Sequence, residues 1–436
     1  MRVSKQNILT SIISLIPLSY ILGNFVLNSN ILLIILGGIF LSFKGYRLKL
    51  LILDKLIIIF FLYIIFTGTW NTIESYYFQK THNYDFSIII KSFLFLRYLL
   101  LYFSIRLIVE KNLINYKILF YSFALFSIFV SADIIYQFFY GKDFFGLTSP
   151  YANKITGPFH AEAIAGGFIQ KFSFFLFFAF MLLTKIKDSK IKILILTALF
   201  FITILSITLS GNRMSLLLFL FGIFLVFINN KALRKYILHI LVSVFIMSAI
   251  IVNSSDRIKN YYYAFYENSK NILTVYSYRI LGFEKDLPYS SKHAYLHEFE
   301  SGISTWELNK YIGGGLKSFR YNCPKRKVES INVRTTCNIH PHNYYLEILT
   351  DLGIVGIILF LPIAVLVITK SYNLLRDEQF KYIVAPFFYV FVTEIFPIRA
   401  SGSFFTTNNA AIIFFLLGTI VGLLAVPRGI EPRLGD

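Results

Sequence analysis

The stretch Cys337-Asn-Ile-His-Pro-His342-Asn343-Tyr-Tyr-Leu-Glu-Ile-Leu-Thr-Asp-Leu-Gly353-Ile-Val-Gly356 joins a polar segment directly to an apolar one. Ahead of it, from 254 to 343, the long hydrophobic runs that fill the rest of the chain stop. A helix that begins at this junction would hold imidazoles, an amide and hydroxyls at one membrane surface. These side chains carry most of the chemistry that the chain offers.

The composition indicates a membrane protein. The chain has 436 residues, of which 56% are hydrophobic, and its mean hydropathy is +0.65. Apolar runs of about 18 residues or more are typical of transmembrane helices. No small-residue cleavage site follows the first run, which begins at Ile8, so we do not expect a removed signal peptide.

The runs predict an all-α fold, a polytopic bundle of about twelve transmembrane helices with one large loop segment. The two runs around Gly211 are compatible with one hairpin or with one broken helix. The predicted spans are 8–27, 30–43, 52–70, 87–107, 117–140, 161–184, 191–209, 212–229, 236–253, 344–369, 380–397 and 409–426.

The basic residues predict the orientation of the chain. The net charge of +19 is not gathered in one patch, which disfavours nucleic acid as a partner. One set of alternate short loops carries twenty Lys and Arg residues, and the other set carries only Lys80, Lys142, Lys154, Arg213 and Arg399. Cytoplasmic loops carry the excess of basic residues. We therefore expect a multi-pass membrane protein with both termini in the cytoplasm and with the segment 254–343 facing outward, to the periplasm if the cell is Gram-negative.

This orientation divides the chain into four parts. We expect an N-terminal transmembrane region of about nine helices (1–253), a periplasmic loop segment (254–343), a C-terminal transmembrane region of about three helices (344–426) and a cytoplasmic tail (427–436). Within the loop segment, the sequence predicts an amphipathic helix at 257–266, a helix near 292–308 and a glycine turn at 313–315.

The only two cysteines, Cys323 and Cys337, lie in the loop segment. An oxidising compartment favours a disulfide between them. Two free thiols and a zinc site formed with His340 and His342 are the alternatives, although the spacing fits no standard zinc pattern.

The junction itself predicts a candidate catalytic residue. Pro341 disfavours helix at His340, so the helix should begin near Asn343, a good N-cap residue. His342 would then lie just outside the positive end of the helix. The dipole would keep it neutral and able to accept a proton. A loop histidine that only caps or hydrogen-bonds is the alternative.

Three other stretches carry polar groups on the outward side. Ser210-Gly-Asn-Arg213 places a guanidinium, suited to phosphate oxygens, at the membrane boundary, with lipid headgroups as the alternative partner. The glycine turn with Lys317 and Arg320 is compatible with a diphosphate held by backbone amides and cations, or with a plain turn. Lys154 and Glu162 offer one cation and one acid, the latter orienting an acceptor or capping a helix.

Some catalytic motifs are missing from the sequence. There is no Walker A loop, no GxSxG, no HExxH and no DxD pair on the outward face. A site rich in Arg, Lys and His suits an anionic, activated, lipid-borne substrate, and we expect neither a metal nor another cofactor.

With these residues in view, the chain resembles the O-antigen ligase/O-antigen polymerase superfamily of bacterial membrane glycosyltransferases. The resemblance spans about 130–360. Five blocks carry it in order: Asp133–Gly146, Thr156–Gly166 with Glu162, Leu209–Arg213, His293 with Gly313–Cys323, and Cys337–Gly356. Lys154 stands where an arginine is expected, and His297 lies close enough to His293 to replace it in the match.

The resemblance implies transfer of a glycan from undecaprenyl diphosphate to a sugar hydroxyl on the periplasmic face, for lipopolysaccharide or another surface polysaccharide. It implies a metal-independent, inverting reaction. The acceptor is lipid A–core in a ligase and a lipid-linked glycan in a polymerase. Arg213 and Arg320 would bind the diphosphate, and His342 would activate the acceptor hydroxyl or assist the diphosphate. His340, Asn343, Lys317, His293, Lys154 and Glu162 would contact substrate.

A transporter of lipid-linked sugar remains the alternative from another class, although transporters tend to carry charged residues in the middle of their helices.

We predict that Arg213→Ala and His342→Ala each abolish glycan transfer while the protein still inserts in the membrane. The measurement is the surface glycan of cells that carry each variant, beside the amount of protein in the membrane fraction. Near-normal transfer in either variant would contradict the assignment.

Overall fold

The computed structural model describes residues 5–42, 48–78, 86–183, 189–230, 234, 237–254, 256–282, 294–326, 337–399 and 402–427. The described residues are helical with no strands, which confirms the predicted all-α bundle. The helices are α1 (Lys5–Ser14), α2 (Ile16–Ile21), α3 (Asn24–Gly37), α4 (Ile52–Phe78), α5 (Ser87–Glu110), α6 (Tyr116–Tyr140), α7 (Ala165–Leu183), α8 (Ser189–Leu209), α9 (Arg213–Asn229), α10 (Ile237–Ser254), α11 (Asp256–Ile280), α12 (Ala294–Trp306), α13 (Phe319–Asn322), α14 (Tyr344–Leu375), α15 (Lys381–Glu394) and α16 (Thr407–Ala425).

Among the described residues, six helices are long and apolar enough to cross a membrane. They are α4 over Ile52–Tyr76, α5, α6, α8 over Lys190–Leu209, α14 and α16. Three shorter apolar helices, Asn24–Phe40, Ala165–Met181 and Arg213–Asn229, lie at predicted spans. The protein is therefore a multi-pass membrane protein.

The predicted span 8–27 is wrong. This stretch forms α1, α2 and the beginning of α3 instead of one helix. Pro17 stands in the first turn of α2, where its ring and missing N–H interrupt the continuous helix. Gly23 then adopts φ +95°, a left-handed backbone that separates α2 from α3.

The runs around Gly211 form a hairpin. α8 ends at Leu209, and α9 begins at Arg213. The rings of Phe200 and Phe219, at similar distances from the turn, have centroids 6.5 Å apart, and both lie near Phe177 of α7. The two helices therefore run side by side in opposite directions, and the turn lies at one end of the bundle.

Helix α16 lies at the centre of the bundle. Of the apolar 18-residue stretch of α16 that could cross a membrane, 83% is buried inside the protein. Its Gly418-Thr-Ile-Val-Gly422 repeat lies against α5. A Cβ at Gly418 would lie 2.7 Å from the carbonyl oxygen of Tyr102, and one at Gly422 would lie 2.6 Å from Cβ of Val109. Small residues four apart let two helix backbones approach closely in a membrane.

A group of buried charged residues lies at the end of the bundle opposite the Gly211 turn. Nε of Arg106 lies 2.9 Å from Oδ1 of Asp54, and the same carboxylate accepts a hydrogen bond of 2.6 Å from the hydroxyl of Tyr102. Arg106 is one of the twenty basic residues assigned above to one set of alternate short loops, but it is fully buried in α5. Its charge is compensated inside the protein by Asp54 and Glu110.

The loop segment contains the predicted elements. α11 covers the amphipathic stretch, and α12 covers the described part of the predicted helix near 292–308. Cys323 and Cys337 form a disulfide, with their Cα atoms 5.7 Å apart. Neither sulfur is then available as a thiolate, and the disulfide argues against the zinc alternative.

The glycine turn is a structural joint, and its amides are not free to bind a diphosphate. The amides of Gly314 and Gly315 donate to the carbonyls of Thr350 and Asp351, at 3.0 Å and 2.8 Å. We call these hydrogen bonds between the glycine turn and α14 the interlock. The interlock is possible because α14 is interrupted at Gly353, which adopts φ +67° and ψ −168°. The hypothesis of a phosphate cradle built from these backbone amides is therefore wrong.

Beyond the interruption, two backbone amides of α14 donate hydrogen bonds to carbonyls of the loop segment. The amide of Ile354 binds the carbonyl of Lys310 at 2.9 Å, and the amide of Val355 binds that of Tyr311 at 3.3 Å. From α4, the hydroxyl of Tyr63 donates to the carbonyls of Ile312 and Leu352, at 3.2 Å and 3.1 Å. The loop segment is thus fixed to two membrane helices.

We predict that Gly353→Ala destabilises the protein by at least about 3 kcal/mol. Its backbone lies in a region that only glycine adopts easily, and an added Cβ would collide with the carbonyl of Tyr311. The measurement is thermal unfolding of the purified protein in detergent.

Gly146→Ala is the matched control. Gly146 also has a positive φ, of +82°, but a Cβ there meets nothing within 4 Å. We expect this variant to cost only about 1 kcal/mol of backbone strain. Equal melting temperatures for the two variants would mean that the interlock contributes nothing.

Candidate active site

A cavity of about 350 Å³ lies at the end of the bundle where the Gly211 turn, the loop before α7 and the loop segment meet. Its lining combines stretches that are far apart in the sequence. It is lined by Tyr20, Lys154, Ala163, Ile164, Gly167, Lys171, Gly211, Asn212, Arg213, Met214, Ser215, Glu298, His342, Arg399, Gly402 and Asn409.

The loop between α6 and α7 brings Lys154 to the cavity. Polar residues of α6 hold it: Oδ1 of Asp133 accepts from the amide of Phe144 at 2.6 Å, and the side chain of Gln137 accepts from the amide of Gly157 at 2.8 Å. The amide of Ile155 then donates to the carbonyl of Ser210 at 3.2 Å. Lys154 is thereby fixed beside the Gly211 turn.

The turn itself is packed against the beginning of α7. Gly211 has φ +73°, and a Cβ there would lie 2.7 Å from the carbonyl oxygen of Asn153. The side-chain amide of Asn212 lies 2.9 Å from the carbonyl oxygen of Ala163 and 3.3 Å from the amide of Gly166. These contacts fix the first residue of α9, Arg213, at the wall of the cavity.

An aromatic ring of α11 covers Arg213. Its guanidinium carbon lies 5.1 Å from the centroid of the Phe265 ring, within the range of a cation–π contact. The hydroxyl of Tyr262, one turn earlier in α11, donates to the carbonyl of Thr208 at 3.3 Å. The polar helix α11 therefore borders the cavity.

His342 is held in an unusual backbone conformation directly before α14. Its φ is +52°, an uncommon value for a residue other than glycine. Asn343 is the N-cap, as predicted, and its Oδ1 accepts from the amides of Tyr345 and Leu346 at 2.9 Å and 3.1 Å. Strain of this kind persists where the surrounding structure holds it, often at a functional site.

The imidazole of His342 faces a carboxylate. Its Nε2 lies 3.9 Å from Oε1 of Glu298 in α12, too far for a direct hydrogen bond. Glu298 is held by the side-chain amide of Asn338, which donates to the same oxygen at 2.9 Å. The gap leaves Nε2 accessible to a proton donor in the cavity.

The surroundings keep this histidine neutral. Burial is the main cause that lowers the pKa of His342 below its usual value, and the charge of Lys154 adds to it. Burial raises the pKa of Glu298, against the opposing effects of Asn338 and Lys154. The neutral state agrees with the sequence prediction, but burial is its principal cause.

The floor of the cavity contains an ion group that the sequence analysis missed. The fully buried carboxylate of Glu394 binds two cations: Nη1 of Arg399 lies 2.9 Å from Oε1, and Nζ of Lys171 lies 3.3 Å from Oε2. Nζ of Lys171 also donates to Oδ1 of Asn409 at 3.0 Å. The sequence does give a reason to suspect Lys171 and Glu394, because an ionisable residue inside an apolar helix is a functional hypothesis by default.

Asn343 connects this ion group to His342. Its side-chain amide donates to the carbonyls of Pro397 and Arg399, at 2.8 Å and 3.0 Å. Asn343 is 2% exposed, and both ends of its amide bind the protein. It positions the histidine and the arginine rather than lining the cavity.

His340, Lys317 and Arg320 form a second group beside the cavity, and none of the three lines it. The rings of His340 and His342 have centroids 4.3 Å apart. Burial is the main cause that lowers the pKa of His340 to about 4, and the charges of His342, Arg320 and Lys317 contribute. Burial also lowers the pKa of Lys317, opposed by Glu347 and assisted by Arg320 and Arg97.

The remaining predicted residues are less central. Glu162 is exposed and does not line the cavity, and since α7 begins at Ala165, it is not an acid of the first helical turn. His293 lies outside the described residues. Cys323 follows α13 directly, so the disulfide braces the segment that bears Arg320.

Fold and site define the class of the protein, a polytopic helical membrane protein with a cation-lined cavity at one end of its bundle. Residues 198–361 match the family model described as O-antigen ligase. The match includes Arg213, Arg320 and His342, and it confirms the resemblance to the O-antigen ligase/polymerase superfamily for this part of the chain. No match was found among curated proteins.

We predict that His340 makes the stability of the protein depend on pH. Its pKa is about 4 in the folded protein and about 6.5 in the unfolded chain. As the pH falls from 6.5 to 4, the unfolded state therefore takes up a proton first. The contribution of neutral His340 to stability is complete above pH 6.5 and is lost toward pH 4.

The measurement is the melting temperature between about pH 7.5 and 4.5. The fall in melting temperature should be smaller in His340→Gln than in the unaltered protein. His160→Asn, a change at an exposed histidine of the loop between α6 and α7, should leave the fall unchanged. The same fall in all three proteins would contradict the prediction.

Proposed function

We propose that the protein is a glycosyltransferase that moves a glycan from undecaprenyl diphosphate to a sugar hydroxyl at the periplasmic face of the inner membrane. The family match supports the broader class, an O-antigen-ligase-type membrane protein that processes glycans. The donor, the reaction and the side of the membrane are parts of the proposal.

The observation that carries the proposal is the charge of the cavity. Four cations line it, Lys154, Lys171, Arg213 and Arg399. The carboxylates beside them are Glu298 in the lining and Glu394 behind Lys171 and Arg399. The excess of positive charge matches the roughly two negative charges of a diphosphate diester, and guanidinium groups bind its oxygens in bidentate fashion.

In the proposed reaction, Arg213 and Lys154 bind the diphosphate from the outer wall, and Arg399 and Lys171 bind it from the floor. The acceptor oxygen attacks the anomeric carbon and its proton passes to Nε2 of His342. The bond between the anomeric carbon and the diphosphate oxygen breaks, and its electron pair stays on the diphosphate. This single displacement inverts the anomeric centre.

The protein's own groups supply what this chemistry requires. The diphosphate is already a good leaving group, so catalysis consists of positioning the acceptor and stabilising the developing negative charge. In this scheme the four cations stabilise that charge without a metal ion. Glu298, 3.9 Å from the imidazole, stabilises the imidazolium that forms.

We assign the second group, Arg320, Lys317 and His340, to the entrance of the cavity. The Nε of Arg320 and the Nε2 of His340 are buried and have no hydrogen-bond partner among the residues that the structure describes. Such groups are costly unless a ligand binds them. Phosphate or sugar oxygens of a substrate are suitable partners.

Most of the buried charged residues lie near helix ends, which disfavours the transporter alternative, although Arg97 lies near the middle of α5. Lys171 is within two turns of the start of α7, Glu394 is the last residue of α15, and Asp133 is within two turns of the end of α6. At the opposite end, Asp54 and Arg106 are close to the ends of their helices. Transporters hold their substrates near the middle of the membrane.

Ligase and polymerase remain the two forms of the proposal. The surface glycan of a deletion strain separates them. Lipid-linked polymer that is not attached to lipid A–core indicates a ligase, and a single repeat attached to the core indicates a polymerase.

We predict that His342→Asn lowers the rate of transfer by roughly 100-fold to 10,000-fold, the usual contribution of a general base. Asparagine tolerates the positive φ of this position, so the substitution removes the imidazole with little added strain. The measurement is transfer by purified protein from a synthetic polyprenyl diphosphate sugar.

His160→Asn is the matched control, because His160 also has a positive φ, of +50°, and is exposed. It should retain full activity. In the unaltered protein, activity should fall only below pH 6.5, since the pKa of His342 is lowered and the base must be neutral. Unchanged activity in His342→Asn would refute the assigned role.

A further inference from the structure

A second cavity, of about 180 Å³, lies at the end of the bundle opposite the candidate active site. It is formed where α9 ends and where α14 is followed by α15. The other ends of the same helices carry Arg213, His342 and Arg399. Since α9 has 17 residues, it spans about 25 Å. The two cavities are therefore separated by most of the thickness of a bilayer.

The polar lining of this cavity suits an anion. Arg376 and Lys381 supply the charges, and Asn229 and Asn230 supply side-chain amides. Among the described residues, neither Asp nor Glu lines this cavity. Lys381, which lines it, forms an ion pair with Glu378 at 3.2 Å, but Glu378 is 81% exposed, so solvent screens the pair.

Tyrosine rings orient the two cations. The guanidinium carbon of Arg376 lies 4.7 Å from the ring centroid of Tyr372, and its Nη2 donates to the Tyr372 hydroxyl at 3.3 Å. Nζ of Lys381 lies 5.5 Å from the ring centroid of Tyr382. Tyrosine with Arg and Lys is the usual composition of a helix end at the membrane–water interface.

An exposed apolar ridge leads away from the cavity along α9. Ile228, which lines the cavity, is 47% exposed, Phe224 one turn before it is 59% exposed, and Leu217 is 46% exposed. In a bilayer this face of α9 contacts acyl chains. A ligand that uses both features has an anionic head and an apolar chain, whereas a free phosphate ion would use only the first.

We propose that this cavity binds the headgroup of an anionic phospholipid in the leaflet opposite the active site. Arg376 and Lys381 hold the phosphate, the amides of Asn229 and Asn230 bind the glycerol or phosphate oxygens, and an acyl chain lies along the ridge of α9. Basic pockets between transmembrane helices bind lipid headgroups in this way. The lipid would fix the relative positions of α9, α14 and α15.

The experiment uses the full-length protein in detergent and measures its melting temperature as lipid is added. Phosphatidylglycerol, phosphatidylcholine and inorganic phosphate are the three probes. Arg376→Gln with Lys381→Gln tests the site. Lys370→Gln is the matched control, because Lys370 is an exposed cation near the same end of α14 that does not line the cavity.

Phosphatidylglycerol should raise the melting temperature of the unaltered protein and of Lys370→Gln. The double variant should need a roughly thirtyfold higher lipid concentration for the same rise, since two basic contacts are lost. Native mass spectrometry should show one retained phosphatidylglycerol fewer in the double variant. The number of retained lipids does not depend on the melting temperature, so it tests the site even if the double variant is less stable.

Three results would overturn the proposal. One is an equal response of the double variant and Lys370→Gln to phosphatidylglycerol. Another is an equal effect of phosphatidylcholine, which would remove the preference for an anionic lipid. The third is an equal effect of inorganic phosphate, which would assign the cavity to a free ion.

Discussion

The burial of one carboxylate organises the candidate active site. Glu394 has no access to water and binds both Arg399 and Lys171. A buried charge is tolerated only when it is paired and hydrogen-bonded, so these two cations cannot move far from it. The chain around Arg399 in turn accepts both hydrogen bonds of the Asn343 amide. The ion group thereby fixes Asn343, the N-cap of α14, and with it the preceding residue, His342.

A second constraint is the joint between the loop segment and α14. The interruption of α14 at Gly353 frees carbonyls and amides within an apolar helix. The amides of the glycine turn at 313–315 bind the freed carbonyls, and the carbonyls of Lys310 and Tyr311 bind the freed amides. Asp351 extends this joint, because its carboxylate accepts from the amides of Lys317 and Ser318 at 2.6 Å and 3.1 Å. The carboxylate of Asp351, a residue of α14, therefore helps to fix the position of Lys317. In apolar surroundings an unpaired backbone group is costly.

The sequence predicted the elements better than the roles of their residues. Apolar runs gave most helices within a few residues, and the Asn343 cap followed from the preceding proline and the asparagine itself. The span 8–27 failed because hydropathy does not register the break that Pro17 and Gly23 introduce. The glycine turn looked like a phosphate cradle because a sequence does not show which backbone amides are already bonded.

The candidate site illustrates the same limit. Arg213, His342 and Lys154 were found because each stands in a polar stretch at the end of an apolar run. Lys171 and Glu394 were missed because each appears alone in an apolar helix, and only packing shows that the two charges meet.

By itself, the sequence determined that this chain is a helical membrane protein, and through ordered residue blocks it determined the superfamily that the chain resembles. Both follow from local properties, namely hydropathy over a helix length and residue type at fixed spacing. Only the tertiary structure decided that Lys154, Arg213, Arg399 and His342 line one cavity. That decision depends on contacts between residues as far apart in the sequence as Lys171 and Asn409, which are 238 positions apart and which helix packing and buried polar pairing bring together.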